Sequence, residues 1–394
     1  MMKNKLGWEI KTLGDYFDIT SSKRVFESEW TNEGVPFYRA REVVKLATNG
    51  FVNNDLFISE KMYTDYSSKY GIPKEGDIMV TGVGTLGICY VVKKDDKFYF
   101  KDGNIIWLKN KNLINSRFVE YAFKSDYLRI QIDDGIGATV GTYTIIKAKK
   151  TKIPVPPLPT QHQIVSELNA LSEIISKKKL QLEELDKLAQ ATFYDMFGDP
   201  VTNEKGWEVK KLNEVCDVRD GTHDSPKYVQ EGYPLITSKN LSTGTISFEN
   251  VNQISKVDFD NINKRSNVDD GDILMPMIGT IGNPIIVKKD RDFCIKNVAL
   301  IKFKKTNKVN NIFVNMVLRN ESIVEMMKSL NRGGTQKFIS LGMIRTFALP
   351  IPPIEFQNQF AIKIESIENQ KALINQSIGD VQQLFDYTMD KYFN

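Results

Sequence analysis

The chain has 394 residues, 41% apolar and 26% charged, with a formal net charge of +4. That is an ordinary composition for a globular protein, at a length that allows two or three cores. Three cysteines without CxxC spacing and only two histidines argue against a disulfide framework or a structural zinc site, and for a reducing compartment. No run approaches the roughly 20 apolar residues of a membrane span, and Met1-Met2-Lys3-Asn4 leads into no signal-type apolar core. The expectation is a cytoplasmic, prokaryotic protein with no membrane partner.

The first recognisable string is Gly7-Trp8-Glu9-Ile10-Lys11-Thr12-Leu13. Two polar loops follow, Ser21-Ser22-Lys23-Arg24 and Pro36-Phe37-Tyr38-Arg39-Ala40-Arg41. Residues 77–81, 88–92 and 98–101 read as short strands of a meander, separated by glycine-rich or charged turns. Between the first two strands, Gly82-Val83-Gly84-Thr85-Leu86-Gly87 matches the GxGxxG string of dinucleotide sites. That motif needs a helix to begin there, whereas Ile88-Cys89-Tyr90-Val91-Val92 reads as a strand, so a β-turn is expected.

Residues 116–132 predict one helix, with Phe118, Tyr121, Ala122, Ser125 and Leu128 near one face. A glycine turn, Gly137-Ala138-Thr139-Val140-Gly141-Thr142-Tyr143, then leads to a proline-rich exit at 153–159, where proline excludes helix and central strand. Thr160 and Gln163 form a Thr-x-x-Gln capping-box string. The heptad rows that follow are Ile164, Leu171, Leu185 and Thr192, and Leu168, Ile175, Leu182, Ala189 and Met196.

About 196 residues later the order recurs. Gly206-Trp207-Glu208 opens it, and Gly271-Asp272-Ile273 returns Gly76-Asp77-Ile78. Gly279-Thr280-Ile281-Gly282 returns Gly84-Thr85-Leu86-Gly87, and Pro350-Ile351-Pro352-Pro353 returns Pro154-Val155-Pro156-Pro157. The second heptad rows are Phe360, Ile367, Ile374, Val381 and Thr388, and Ile364, Ile378, Phe385 and Tyr392. Each seam holds one lysine, Lys178 or Lys371, and Phe356 stands where the first helix has its capping Thr.

Charge follows the repeat. Residues 1–157 carry 24 basic against 19 acidic side chains, 158–199 carry 4 against 7, 200–353 carry 22 against 17, and 354–394 carry 3 against 6. Basic globular parts suit a polyanion, and acidic helices suit protein contacts. The expected organisation is two mixed α/β (α+β) recognition domains, 1–157 and 200–353. They alternate with two long helices, 158–199 and 354–394, which pair as an antiparallel coiled coil in a pseudo-twofold arrangement. Leu168, Leu171, Ile175, Leu182 and Leu185 would face Ile364, Ile367, Ile374, Ile378 and Val381.

Catalytic strings are weak. There is no P-loop, and Asn283-Pro284-Ile285-Ile286 and Asp199-Pro200-Val201 are half-matches to an amino-methyltransferase motif. His162 and His223 have no evident nucleophile or metal partner, so no catalytic or metal residue is expected. The loops are better candidates, since Arg and Lys suit phosphates and guanine edges while Thr, Ser and Asn bond phosphates or bases. In the first copy the DNA candidates are Lys23, Arg24, Arg39, Arg41, Thr139, Thr142 and Tyr143. In the second they are Thr222, His223, Lys227, Thr237, Ser238, Lys239, Asn240, Thr335, Gln336 and Lys337.

The ordered set of these strings, present twice, resembles the specificity subunit of type I restriction-modification systems over essentially the whole chain. The resemblance implies a non-catalytic, sequence-specific subunit whose two target recognition domains each read half of a bipartite double-stranded DNA site. It implies helices that set the spacer and dock methyltransferase subunits, two of them, with restriction subunits completing the complex. S-adenosylmethionine, ATP and Mg2+ would belong to those partners, with no cofactor in this chain. A single-chain DNA methyltransferase or endonuclease is the alternative, and a coiled-coil scaffold without DNA function is a third.

Overall fold

The computed structural model describes residues 6–133, 141–242, 244–278, 283–303, 308–329 and 338–394. The chain divides into two compact units, Met1–Lys179 with Gln376–Asn394, and Leu180–Asn375. Both boundaries therefore fall inside long helices, whereas the sequence places its boundaries at helix ends, after residues 157, 199 and 353.

The first unit runs β1 (Glu9–Thr12), α1 (Leu13–Tyr16), β2 (Phe17–Thr20), β3 (Val35–Tyr38), α2 (Ala40–Asn49), β4 (Phe57–Ile58) and α3 (Glu60–Tyr70). It continues with β5 (Ile78–Thr81), β6 (Cys89–Val91), β7 (Tyr99–Phe100), β8 (Ile105–Asn110), α4 (Ser116–Lys124), α5 (Asp126–Ile132), α6 (Ile145–Lys150) and β9 (Lys152–Val155). The helix α7 (Leu158–Phe197) begins here.

Strands order β2-β8-β5-β6 in an antiparallel sheet, and β4-β3-β7 in a second sheet where β3 and β7 run parallel. The expected meander is thus corrected: β7 leaves its sequence neighbours and pairs with β3 in a second sheet. Strand periodicity explains the two-sided core. Ile78, Val80, Ile106 and Leu108 pack toward α4 and α5, while Met79, Tyr90, Ile105 and Trp107 pack toward Val43 and Leu46 of α2. The glycine turn is a turn, as its sequence suggests. Gly84 and Gly87 sit at φ +70° and +71°, and a Cβ on Gly87 would lie 2.9 Å from Ile132.

The single helix expected over 116–132 is two. It breaks at Ser125, whose hydroxyl donates to the Ala122 carbonyl and accepts from the Leu128 amide, so a buried serine caps the second segment. Phe118, Tyr121, Ala122, Ser125 and Leu128 are all buried, as their spacing predicts.

The second unit repeats the plan with β10 (Glu208–Lys211), α8 (Leu212–Val215), β11 (Asp217–Asp220), β12 (Tyr228–Val229), β13 (Tyr233–Ile236), β14 (Gln253–Ile254) and α9 (Lys256–Ser266). Then come β15 (Ile273–Pro276), β16 (Ile285–Ile286), β17 (Cys294–Ile295), β18 (Val298–Lys302), α10 (Asn311–Arg319), α11 (Glu321–Ser329), α12 (Leu341–Thr346), β19 (Ala348–Ile351) and α13 (Ile354–Phe393). The sheet β11-β18-β15-β16 matches β2-β8-β5-β6, and β13 pairs parallel with β17 as β3 does with β7. The proline-rich exits form β9 and β19, which pair only with β1 and β10. These two-stranded ribbons have the free edges that proline requires.

Within the second unit Phe193 and Phe197 of α7 meet Phe360 of α13, ring centres 5.7 and 5.2 Å apart, and Lys371 Nζ lies 2.8 Å from Asp186. Partners descend along α13 as they ascend along α7, so the segments are antiparallel. Ile364 and Ile367 are buried against this core, with Leu185 packed on it. In the first unit Leu168 is buried with Met389 and Tyr392, and Tyr392 donates to Glu167. Ile175 is buried, and Leu171, Leu182, Ile374, Ile378 and Val381 are half-buried. Lys371 is held as a cation: burial works against its charge, but hydrogen bonds to Asp186 and Glu368 outweigh it and raise its pKa.

The expected capping box is absent. Helix α7 starts at Leu158, two residues before Thr160, and Gln163 bonds Glu167 instead. The helix start is secured by the buried Gln161: its carboxamide accepts from the Asn115 amide and donates to the Pro156 carbonyl. Gln357 does the same for α13, accepting from Asn310 and donating to Pro352. The contrast between a capped and an uncapped helix therefore disappears. Because an unpaired buried group bears its full desolvation cost, Gln357→Ala should destabilise the chain by about 1–3 kcal/mol. Urea denaturation would measure this, and a change within error would refute the clamp.

Candidate nucleic-acid interface

In the first unit the candidate loops converge on residues 99–104, which link β7 to β8. The Lys101 amide donates to the Tyr38 carbonyl, just before Arg39. Ser22 Oγ donates to the Phe100 carbonyl, and the Lys23 amide donates to Tyr99 Oη at 3.0 Å. The Gly82 amide donates to the Asn104 carbonyl, and the Tyr143 amide donates to the Gly82 carbonyl. Three stretches far apart in sequence thus share one support.

The second unit builds the same hub from residues 294–298. The Lys296 amide donates to the Ile236 carbonyl, the Asn297 amide to Thr222, and the Gly221 amide to Val298. Asn297, at φ +53°, completes this tight turn, a backbone that asparagine tolerates better than most residues.

The side chains at the two hubs differ. In the first unit Arg24 is 66% exposed, with Nε donating to Asp102 at 2.9 Å. Lys23 is exposed, its ammonium 5.8 Å from the centre of the Tyr70 ring. Arg39 and Arg41 both pair with Glu42, which is 2% exposed, and Arg41 also forks onto Asp55 at 3.0 Å. Burial alone would raise the Glu42 pKa, but hydrogen bonds from Arg39 and Arg41 outweigh it and lower it below the ordinary 4.5.

In the second unit the imidazole of His223 bridges Asp220 Oδ2 at 2.7 Å and Asn297 Oδ1 at 2.8 Å, and Arg265 also pairs with Asp220. Both ring nitrogens face acceptors, so the imidazolium form satisfies both. Hydrogen bonds to Asn297 and then Asp220 raise the His223 pKa above 6.5. Lys227 and Lys239 are exposed. Thr237 donates to Asn240, whose carboxamide caps the turn at 2.9–3.0 Å, and Ser238 leans on the Asn297 carbonyl. Thr222 accepts from the Asp224 amide.

Tyr143 is a correction. It is 2% exposed and its hydroxyl bonds Thr151 at 2.8 Å. An aromatic ring adjoining the turn is driven into the core beside Phe123, so Tyr143 anchors its loop and presents nothing outward. Thr142 is exposed. Thr139, Thr335, Gln336 and Lys337 lie outside the described residues. The sequence does not single out Asp102, Arg265 or Asn297. An Asp-Gly pair after the strand ending at Phe100 marks a turn, but only the antiparallel β2–β8 register, with Thr20 opposite Trp107, brings it to Arg24. Among the described residues no group of His, Cys, Asp or Glu could hold a metal ion. No helix of the described structure is long and apolar enough to cross a membrane.

A framework present twice, each copy ending in a pinned polar loop cluster and joined to an antiparallel helix segment, defines a two-module recognition protein. The chain matches the type I restriction modification DNA specificity domain over residues 5–185 and again over 204–383, and it belongs to that family. A Haemophilus influenzae protein described as a type I restriction enzyme specificity subunit is 33% identical over 159 residues, 40% of this chain and 38% of that relative's length. The MjaVIII specificity subunit of Methanocaldococcus jannaschii is 24% identical, covering 92% of this chain and 86% of its own. The crystal structure of a type I S subunit from M. genitalium shares the fold, with a TM-score of 0.59 at 17% identity over 100% of this chain and 98% of that one.

His223 supplies a test of the second hub. Asn297→Gly keeps the positive φ and removes the carboxamide, so NMR titration should show the His223 pKa falling back toward 6.5. A group with a raised folded pKa stabilises fully below its unfolded value and loses that contribution as pH rises through the folded value. Stability should therefore decline over that window in the parent more than in the variant. An unchanged titration would break the assignment.

Proposed function

We propose that this chain is the DNA-recognition subunit of a type I restriction-modification complex, with each unit reading one half of a bipartite double-stranded site. One observation carries the reading: both units present the same hub, whose strand framework repeats while its exposed side chains differ. Two different half-sites need that combination of constant mount and variable contacts.

In this reading the chain performs no chemistry. It places two methyltransferase subunits on the DNA, and these supply S-adenosylmethionine-dependent methylation; ATP and Mg2+ serve restriction subunits in the full complex. The paired segments of α7 and α13 would set the unread spacer and carry the methyltransferase contacts. The complex would work in the cytoplasm, where its DNA substrate is.

Purified with its methyltransferase subunits, the chain should direct methylation to one bipartite motif that disappears from the genome when the chain is deleted. DNA affinity should fall at least about a hundredfold between 50 and 200 mM salt, since Lys and Arg displace counterions from phosphates. One heptad inserted after Thr160 in α7 alone should weaken assembly or change the spacer. Methylation of the same motif by the partner alone, or by this chain alone with S-adenosylmethionine, would refute the proposal.

A further inference from the structure

We infer that Arg24, oriented by Asp102, selects a guanine for the first unit, and that the equivalent pair in the second unit, His223 and Asn297, gives that unit a different preference. The inference rests on the DNA-reading role proposed above and names the base and residues by which it is exercised.

Strand register establishes the equivalence. Trp107 pairs with Met79 and Thr20 in the first unit, as Leu300 pairs with Leu274 and Arg219 in the second. Arg24 stands four residues beyond Thr20, and His223 four beyond Arg219. Tyr99 pairs with Phe37, and Cys294 with Leu235; Asp102 and Asn297 each stand three residues further on. The same two places therefore bond each other in both units, Arg24 to Asp102 at 2.9 Å and His223 to Asn297 at 2.8 Å. Framework and pairing are kept, while the functional groups are exchanged.

Arg24 has the geometry of a reader. Its loop is pinned at four successive residues: Ser21 Oγ donates to Ile105, Ser22 Oγ to Phe100, the Lys23 amide to Tyr99 Oη, and the Arg24 carbonyl accepts from Tyr66 Oη. Asp102 takes only the Nε–H, and neither Nη makes a hydrogen bond among the described residues. The free edge is a planar two-nitrogen fork, which matches guanine O6 and N7.

Arg39 and Arg41 lack such an edge. Each spends Nε and an Nη on Glu42 or Asp55. Lys23, beside Arg24, offers a point charge suited to a phosphate. In the second unit both nitrogens of His223 are occupied, so its exposed ring cannot supply that fork.

The test uses the chain assembled with its methyltransferase subunits on a DNA library in which every position of the site is varied. Arg24→Lys and Arg24→Ala should each lower the preference for guanine at one position of one half-site by about tenfold or more. The other half-site should keep its profile. Asp102→Asn should weaken preference at that same position, and adding it to Arg24→Ala should change nothing further.

An even loss at all positions with a shallower salt dependence would identify a phosphate contact and overturn the inference. So would an unchanged profile, or a change in both half-sites. If the unmodified complex showed no bipartite preference at all, the proposed function would fall with it; a bipartite preference insensitive to Arg24 overturns the guanine assignment alone.

Discussion

Two buried carboxamides anchor the rest of this molecule. Gln161 and Gln357 each satisfy an amide at the start of α4 or α10 and a carbonyl of the proline-rich exit just past β9 or β19, and Gln357 also donates to the Lys308 carbonyl. Buried polar groups require such partners, so neither helix can leave its unit in another direction without stranding both groups. The prolines contribute by what they lack: without an N–H they leave the exit strand pairing on one side only, against β1 or β10. Helix, exit and recognition fold are thereby joined at one point in each unit.

From that fixed base, the short parallel pairings β3–β7 and β13–β17 set the backbone of the two hubs. Each runs on into a turn whose backbone hydrogen-bonds neighbouring loops, Lys101 to Tyr38 and Asn104 to Gly82 in the first unit, Lys296 to Ile236 and Asn297 to Thr222 in the second. Rigid support lets the exposed side chains be few and still act precisely in space, because a contact held in advance loses little entropy on binding. It also separates two demands on the sequence. Side chains at positions 24, 102 and 223 can be exchanged without removing a backbone contact of the hub, whereas position 297, at φ +53°, favours asparagine or glycine.

Much was legible from the chain alone, for physical reasons. The heptads could be read because a long helix exposes one stripe to its partner: Ile164, Leu168, Ile175, Ile364 and Ile367 are buried as their spacing demands. The glycine turn could be read because a strand, not a helix, follows it. Local strings misled where a tertiary partner outbid them. Thr160 and Gln163 spell a capping box, yet the helix begins earlier, at Leu158, and the buried Gln161 clamps its start. Residues 116–132 spell one helix, yet Ser125 bonds back to Ala122 and starts a second. Tyr143, polar at its tip, reads as a surface contact, yet its ring lies in the core.

The sequence by itself determined the duplication, the alternation of basic and acidic segments, the helix seams and the family, since these depend on periodicity and order along one chain. Only the tertiary structure decided which polar groups stand together. Arg24 and Asp102 are 78 residues apart, as His223 and Asn297 are 74 apart. Their meeting depends on the antiparallel β2–β8 and β11–β18 pairings, a non-local register that no local pattern encodes. The folded side chains likewise show Arg39 and Arg41 held by Glu42 and Asp55, while both Nη of Arg24 are without a hydrogen bond among the described residues.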